Sequence, residues 1–355
     1  MSTATMDRTE HSPAKASDGS AAHSATEPAH VVETMTMAAA LNRALADALI
    51  EDERVLVFGE DVGALGGVFR ITDGLTARFG EKRCFDTPLA ESGIIGTAVG
   101  MAMNGLIPVV EMQFDAFALP AFEQVVSHVA KLGNRTRGDV RMPMVIRIPF
   151  GGGIGGVEHH CDSSEAYYAH TPGLTVVSPS NPQDAYSLLR AAIASPDPVI
   201  FMEPKKLYWS KGVVDTSITA DLRRASVVRE GTDVTLISYG PSVTVALEAA
   251  EALAAEGRSA QVVDVRTLTP FDDQTVSDAV RGTGRAVVIA EAPGFASVAS
   301  EIQARVFEQC FEYLEAPVRR VTGFDTPFAS PKFGHWYLPR VDRVLDAVDS
   351  LHWED

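Results

Sequence analysis

Three short stretches of this chain carry residues able to do acid–base chemistry, each where an extended segment should give way to a turn or a helix. The first, residues 86–96, reads Asp-Thr-Pro-Leu-Ala-Glu-Ser-Gly-Ile-Ile-Gly and places one carboxylate, Glu91, at such a junction. Pro88 favours extended backbone at Thr87, and Ser92 is the expected cap of the helix that follows. Ser92, Gly96, Gly100 and Asn104 recur every four residues, so they line one small face that lets another backbone approach closely. A carboxylate beside that apolar surface should favour its protonated form, which tends to mark a working acid. The alternative is a first-turn glutamate that complements the helix dipole, and spacing alone leaves both readings open.

The second stretch, Glu60-Asp61, closes the apolar run Val55-Leu56-Val57-Phe58, and ligands of open α/β sheets bind at the carboxyl ends of strands. The third, Glu158-His159-His160, follows the loop Gly151–Gly156. A polar histidine cluster there fits a proton donor or a substrate ligand, with a purely structural pair as the alternative. Phe114 and Phe117 flank Asp115 after another apolar run; such aromatics pack in the core or stack on a planar ring.

Other chemistries are poorly supported. Gly151, Gly153 and Gly156 satisfy G-x-G-x-x-G, but the next apolar run ends in Val177-Ser178 rather than in an acid that could hold a ribose. A flexible or close-packed loop that lets backbone approach a ligand is the better reading. Glu158, His159, His160, Asp162 and His170 raise a metal site, yet adjacent histidines point in different directions and no H-x-x-x-H pair exists. No G-x-S-x-G elbow and no G-x-x-x-x-G-K-[ST] phosphate loop is present.

The elements that must position these residues alternate between strand and helix patterns. That alternation predicts an α/β fold with a mainly parallel sheet covered on both faces. Within the 355 residues, 34–204 form a first domain, 205–225 a linker and 226–355 a second αβ series. Asn181-Pro182 reads as an N-cap with proline in the first turn. Residues 1–33 read as a disordered tail without the apolar segment of a secretory signal. The net charge of −17 argues against a nucleic-acid surface. Three scattered cysteines suggest a reducing compartment, the cytoplasm, and no apolar run reaches membrane-spanning length.

Taken in order, the motifs resemble those of a known family over about residues 34–350. They are Val57-Phe58-Gly59-Glu60-Asp61-Val62, Gly66-Gly67-Val68-Phe69-Arg70, Thr87-Pro88-Leu89-Ala90-Glu91, Gln113-Phe114 and Pro120-Ala121-Phe122-Glu123-Gln124. Glu158 to Ala166, His170-Thr171-Pro172-Gly173-Leu174 and Leu314-Glu315-Ala316-Pro317 complete the series. The chain resembles the β subunit of the E1 component of a 2-oxoacid dehydrogenase complex, of the bacterial branched-chain type. The resemblance implies two three-layer α/β/α domains: a transketolase-like domain that binds the pyrimidine of thiamine diphosphate, and a transketolase C-terminal domain.

It also implies roles. Glu91 matches the glutamate that hydrogen-bonds N1′ of the cofactor's aminopyrimidine, and Phe117 the aromatic over that ring. Leu89 and Gln113 match further pyrimidine contacts. His160 matches the histidine near the reacting carbon, and Glu60 an acid in a polar path between paired sites. The Gly-Asp-Gly motif with a downstream Asn that holds Mg²⁺ and the diphosphate is missing. Those groups are therefore expected on an α subunit, in an α₂β₂ tetramer active only when assembled, with an E2 acyltransferase bearing a lipoyl domain as the further partner.

A single-chain transketolase or a deoxyxylulose-phosphate synthase shares half the fold but is opposed by that missing motif. A non-catalytic scaffold is the reading from another class. Some relatives bind K⁺ through a backbone cluster with an Asp and an Asn; here those positions read Ser195 and Asp197, which puts the ion in doubt. The segment Pro149 to His160 looks more like branched-chain enzymes, its glycines leaving room for a forked side chain, with pyruvate as the alternative substrate.

Overall fold

The computed structural model describes residues 30–351. The expected tail up to residue 29 lies outside the described residues, while Val32 and Glu33 already open a strand, Val32–Thr36.

Seven strands form the first sheet, in the order Thr267–Thr269, Thr175–Val177, Val199–Pro204, Val145–Phe150, Ile107–Glu111, Val55–Gly59 and Cys84–Asp86. All pair in parallel except the first, an edge strand contributed by the second half of the chain and antiparallel to its neighbour. The two strands Val145–Phe150 and Val199–Pro204 are buried at every residue, which is why they are apolar on both faces apart from Arg147 and Glu203, which pair with each other. One face is covered by helices Met37–Glu51 and Pro182–Ala194. Both begin on side-chain caps, Thr36 accepting from the Ala39 amide and Asn181 from the Asp184 amide. The other face packs on helix Glu91–Met103 and the segment after Asp115.

The second sheet has five strands, Arg319–Gly323, Ala286–Pro293, Val234–Ser238, Ala260–Asp264 and Ser226–Arg229, parallel except for the last. Helices Ser242–Ala255, Asp273–Thr283, Val298–Cys310 and Val341–Asp349 flank it. The larger apolar core runs through both halves, joining Ile146 and Phe150 to Ile237, Tyr239 and Val263.

Two local expectations are corrected. Residues 205–225 do more than bridge: they form a turn at Lys205–Leu207 and a strand, Lys211–Asp215, paired antiparallel with Val32–Thr36. The physical signal was short, Val214 being buried while Val213 faces outward. The segment after Asp115 is not one continuous helix but a 3₁₀ turn, Ala116–Ala121 around Pro120, a short α-turn and a π-turn, Val125–Val129. Ser92 is not the cap; the helix starts two residues earlier than that cap would place it, at Glu91, from Ala90. Among the described residues no helix is long and apolar enough to cross a membrane.

Candidate active site

Glu60 and Asp61 continue from the carboxyl end of strand Val55–Gly59. A Cβ at Gly59 would collide with the Glu111 carbonyl of the adjacent strand, so only glycine lets the chain turn there. Asp61 then takes a left-handed conformation, φ 58°, which a short polar side chain tolerates. Its carboxylate accepts a 2.9 Å hydrogen bond from Gln113 Nε2, which follows the end of strand Ile107–Glu111.

Glu60 is buried and its Oε1 has no hydrogen-bond partner among the described residues. Burial pushes its carboxyl above the usual range, and the charges of Glu91 and Asp61 add to that push. Glu91, at the first helical position, is therefore brought to the same place from a different segment. Leu89, just before it, is 79% exposed, a large apolar side chain left uncovered.

Phe114 and Phe117 stand edge-to-face, centroids 5.6 Å apart, and both meet the His160 ring, at 4.5 and 5.5 Å. His160 lies on the turn Glu158–His160, and its Nδ1 is buried with no hydrogen-bond partner among the described residues. Burial, then His159 and Lys205, depress its pKa, which favours a neutral imidazole. The exposed Glu158 faces His159 at 3.5 Å. Glu60, Glu91, Gln113, Phe117 and His160 thus share the carboxyl edge of the first sheet, the edge where α/β folds bind ligands. Two orphaned buried polar atoms, one uncovered leucine and an aromatic corner lie along that edge.

Ser195 and Asp197 lie elsewhere, just before strand Val199–Pro204 and so at the opposite edge of the parallel sheet. Ser195 Oγ donates to the Asp197 carbonyl at 2.9 Å, and Arg141 Nη1 stands 3.7 Å from the Asp197 carboxylate. Among the described residues no group of three His, Cys, Asp or Glu side chains is placed to hold a metal ion.

The glycine loop packs against protein more than it leaves room. A Cβ on Gly152 would lie 2.5 Å from Phe328 Cζ, one on Gly153 2.9 Å from Lys206, and one on Gly151 2.9 Å from Glu291. Only Gly155 faces open space, so the expectation that these glycines make room for a forked substrate is corrected for residues 151–153. Gly151, Gly153 and Gly155 all have positive φ, 79°, 86° and 71°. On the small helix face, a Cβ added at Gly100 would meet nothing within 4 Å, and Ser92 and Asn104 are exposed, so this face is uncovered in the single chain.

Sequence reasoning missed the charged layer behind His160. Asp115 is buried, accepts from the Ser164 amide at 2.9 Å and from Ser164 Oγ, and is pushed up to about 6 by burial. Glu291 of the second sheet is buried and accepts from the Gly152 amide. Lys205 is fully buried nearby, and burial brings it down to about 8. The run Glu203-Pro204-Lys205-Lys206, charged directly after a buried strand, was the one signal that could have found it.

Comparison with known proteins agrees with this architecture. Residues 33–210 match the family described as transketolase, pyrimidine binding domain, and residues 223–344 match transketolase, C-terminal domain. A pyruvate dehydrogenase E1 component subunit beta from Leifsonia xyli is 54% identical over 91% of this chain and 96% of its own. A 3-methyl-2-oxobutanoate dehydrogenase subunit beta from Mycobacterium tuberculosis is 52% identical over 90% and 93%. A solved split-gene transketolase, an inactive β4 tetramer, superposes with a TM-score of 0.74 over 89% of this chain and 98% of its own, at 24% identity, and shares the fold. The chain belongs to the family of E1 β subunits of 2-oxoacid dehydrogenases, built from a transketolase pyrimidine-binding domain and a transketolase C-terminal domain.

Proposed function

We propose that this chain is the β half of a thiamine diphosphate-dependent E1 that decarboxylates branched-chain 2-oxoacids and passes the acyl group to the lipoyl group of an E2. The observation that carries this reading is the placement of two pairs, Glu60 with Glu91 and Phe117 with His160, along one sheet edge, with Glu60 Oε1 and His160 Nδ1 unsatisfied among the described residues. Thiamine diphosphate, when bound, supplies a nucleophilic thiazolium carbon and an electron sink for loss of CO₂. Leu89, Gln113 and Phe117 would hold its pyrimidine, apolar side chain and ring against its faces and amide toward its polar rim. Glu91 would share a proton with the pyrimidine nitrogen N1′, a task suited to a carboxyl at a helix start beside a second acid. His160, held as a neutral imidazole, can donate a proton at one nitrogen while accepting at the other. Glu60 would keep a proton available behind Glu91.

The diphosphate and its Mg²⁺ belong, on this reading, to an α subunit in an α₂β₂ assembly, and the uncovered face of helix Glu91–Met103 is a natural contact for it. A K⁺ ion near Ser195 and Asp197 would have to displace Arg141 from the Asp197 carboxylate. The branched-chain preference rests on the Mycobacterium relative and on a Pseudomonas aeruginosa 2-oxoisovalerate dehydrogenase subunit beta, 44% identical over 90% of the chain and 95% of its own. The second reading, pyruvate, is favoured by the Leifsonia relative.

The test is to isolate the tagged chain with its co-purifying partner. Oxidation of 3-methyl-2-oxobutanoate and of pyruvate is then assayed with and without thiamine diphosphate and Mg²⁺. Cofactor-dependent turnover preferring the branched acid is expected, with Glu91→Gln nearly abolishing it. Preference for pyruvate would move the substrate and keep the site, whereas no turnover of either acid would sink the enzyme reading.

A further inference from the structure

Behind the His160 turn lies a buried cation that the chemistry above does not use. Lys205 opens the turn after strand Val199–Pro204, and its side chain is wholly buried. Its Nζ has no hydrogen-bond partner among the described residues. It stands 5.8 Å from the centre of the Phe114 ring, the ring that meets His160 at 4.5 Å. An ammonium buried without a partner is costly, so a group kept there calls for a reason beyond packing.

The acids around it do not neutralise it by direct pairing. Asp115 is held by the Ser164 amide and hydroxyl, and Glu291 by the Gly152 amide. Cys161 and Asp162 complete the groups facing Lys205, and His159 and Glu158 of its own turn face His160 beside it. The cation sits behind one aromatic ring, attracted through space by Asp115, Glu291 and Asp162 but paired with none of them, and its field reaches the histidine across Phe114.

We propose that Lys205 is a positioning residue for the reaction: its buried ammonium, held against Phe114, sets the charge state and ring placement of His160. The proposal rests on His160 being the working histidine of the site described above. Burial brings Lys205 down to about 8, so it carries its charge throughout the range in which His160 titrates. Burial and His159 depress the pKa of His160 most, and the positive charge of Lys205 adds to them with the same sign, disfavouring imidazolium. A neutral imidazole is the form that can both donate and accept at neutral pH.

The decisive measurement is the titration of His160 itself, in the full-length chain carrying histidine labelled with ¹³C at Cε1. The resonance is assigned by its loss in His160→Asn and followed in wild type, Lys205→Met and Lys205→Arg. Removing the charge should raise the His160 midpoint by up to about one pH unit, the size of a unit charge roughly 10 Å or less away at an intermediate dielectric. Lys205→Arg should restore it. An unmoved midpoint in folded Lys205→Met overturns the proposal; Lys205→Gln, neutral but polar, takes its place if the methionine variant does not fold. In the partner-bound enzyme the acid limb of kcat/KM should shift by the same amount. Failure of that enzyme to turn over either 2-oxoacid would refute the proposed function, while the resonance shift would still decide the role of Lys205.

Discussion

Glu60 follows the end of a strand and Glu91 begins a helix, yet after burial it is the charge of Glu91 that most raises the affinity of the Glu60 carboxyl for its proton. Two acids from distant segments are thus coupled before any ligand arrives. Such coupling pushes apart the affinities of two carboxyls, which is how one comes to hold a proton while the other can give or take one.

That coupling sets a pH-dependent stability. The folded carboxyl of Glu60 binds its proton more tightly than the unfolded one does, so its stabilising contribution is complete below about pH 4.5. The contribution is lost as pH rises through the raised folded value. Glu60→Gln keeps the shape and removes the titration. It should raise Tm at pH 8 by ~2–4 °C, about 1 kcal/mol, and change it little at pH 4. Calorimetry at the two pH values decides; equal shifts at both would mean that Glu60 is not strained.

Gly152 and Phe328 couple the active-site loop to the second domain. An added Cβ at residue 152 would sit 2.5 Å from Phe328 Cζ and 3.3 Å from Glu291 Oε1. Gly152→Ala should therefore shift the loop that leads to His160, costing roughly 1–3 kcal/mol of stability by overpacking. Pairing it with Phe328→Leu should recover more than half of that loss, because the nearest obstacle is the tip of a ring. The double-mutant cycle measures the coupling, and strictly additive effects would show that the two side chains do not compete for the space.

Much of this was legible from residue order. The alternation of elements, the cap at Asn181 and the acid-bearing ends of strand Val55–Gly59 and helix Glu91–Met103 follow from local pattern. What local pattern does not encode is partner choice across long sequence separation. Glu291 meets Gly152, and Tyr239 meets Glu165, across the boundary between the two halves of the chain. The edge strand Thr267–Thr269 joins the first sheet although it belongs to the second αβ series. The glycines of residues 151–153 read as open space for a ligand because the sequence cannot say that Phe328 and Lys206 fill it.

Glu165 and Tyr239 make a buried link between the halves, Tyr239 Oη donating to Glu165 Oε1 at 2.7 Å. Burial raises the Glu165 carboxyl to about 7 despite that bond. Its stabilising contribution is again complete below about pH 4.5 and is lost as pH rises through 7. Glu165→Gln retains an acceptor for Tyr239 and should gain Tm relative to wild type between pH 5 and pH 8. Tyr239→Phe should lose about 1–3 kcal/mol by leaving the carboxyl unsatisfied. A Glu165→Gln advantage that does not grow with pH would refute the assignment.

Arg147 holds the centre of the first sheet. It is fully buried, donating from Nη1 to Glu111 at 2.6 Å and from Nε and Nη2 to Glu203 at 2.6 and 3.0 Å. Tyr208 Oη adds a fourth bond, to Glu203 at 2.7 Å. One guanidinium thus serves two buried carboxyls, and its loss leaves both without a cation. Arg147→Met should cost roughly 3–5 kcal/mol, read as a lower urea midpoint. Replacing the whole set by apolar groups of similar volume should restore much of it, because the penalty lies in the abandoned charges. The cost should reach the active site too: Glu111 abuts Gly59, whose strand leads directly to Glu60, and Gln113 lies two residues beyond Glu111. If Arg147→Met unfolds within about 1 kcal/mol of wild type, the ion-pair cluster is not what fixes this edge of the sheet.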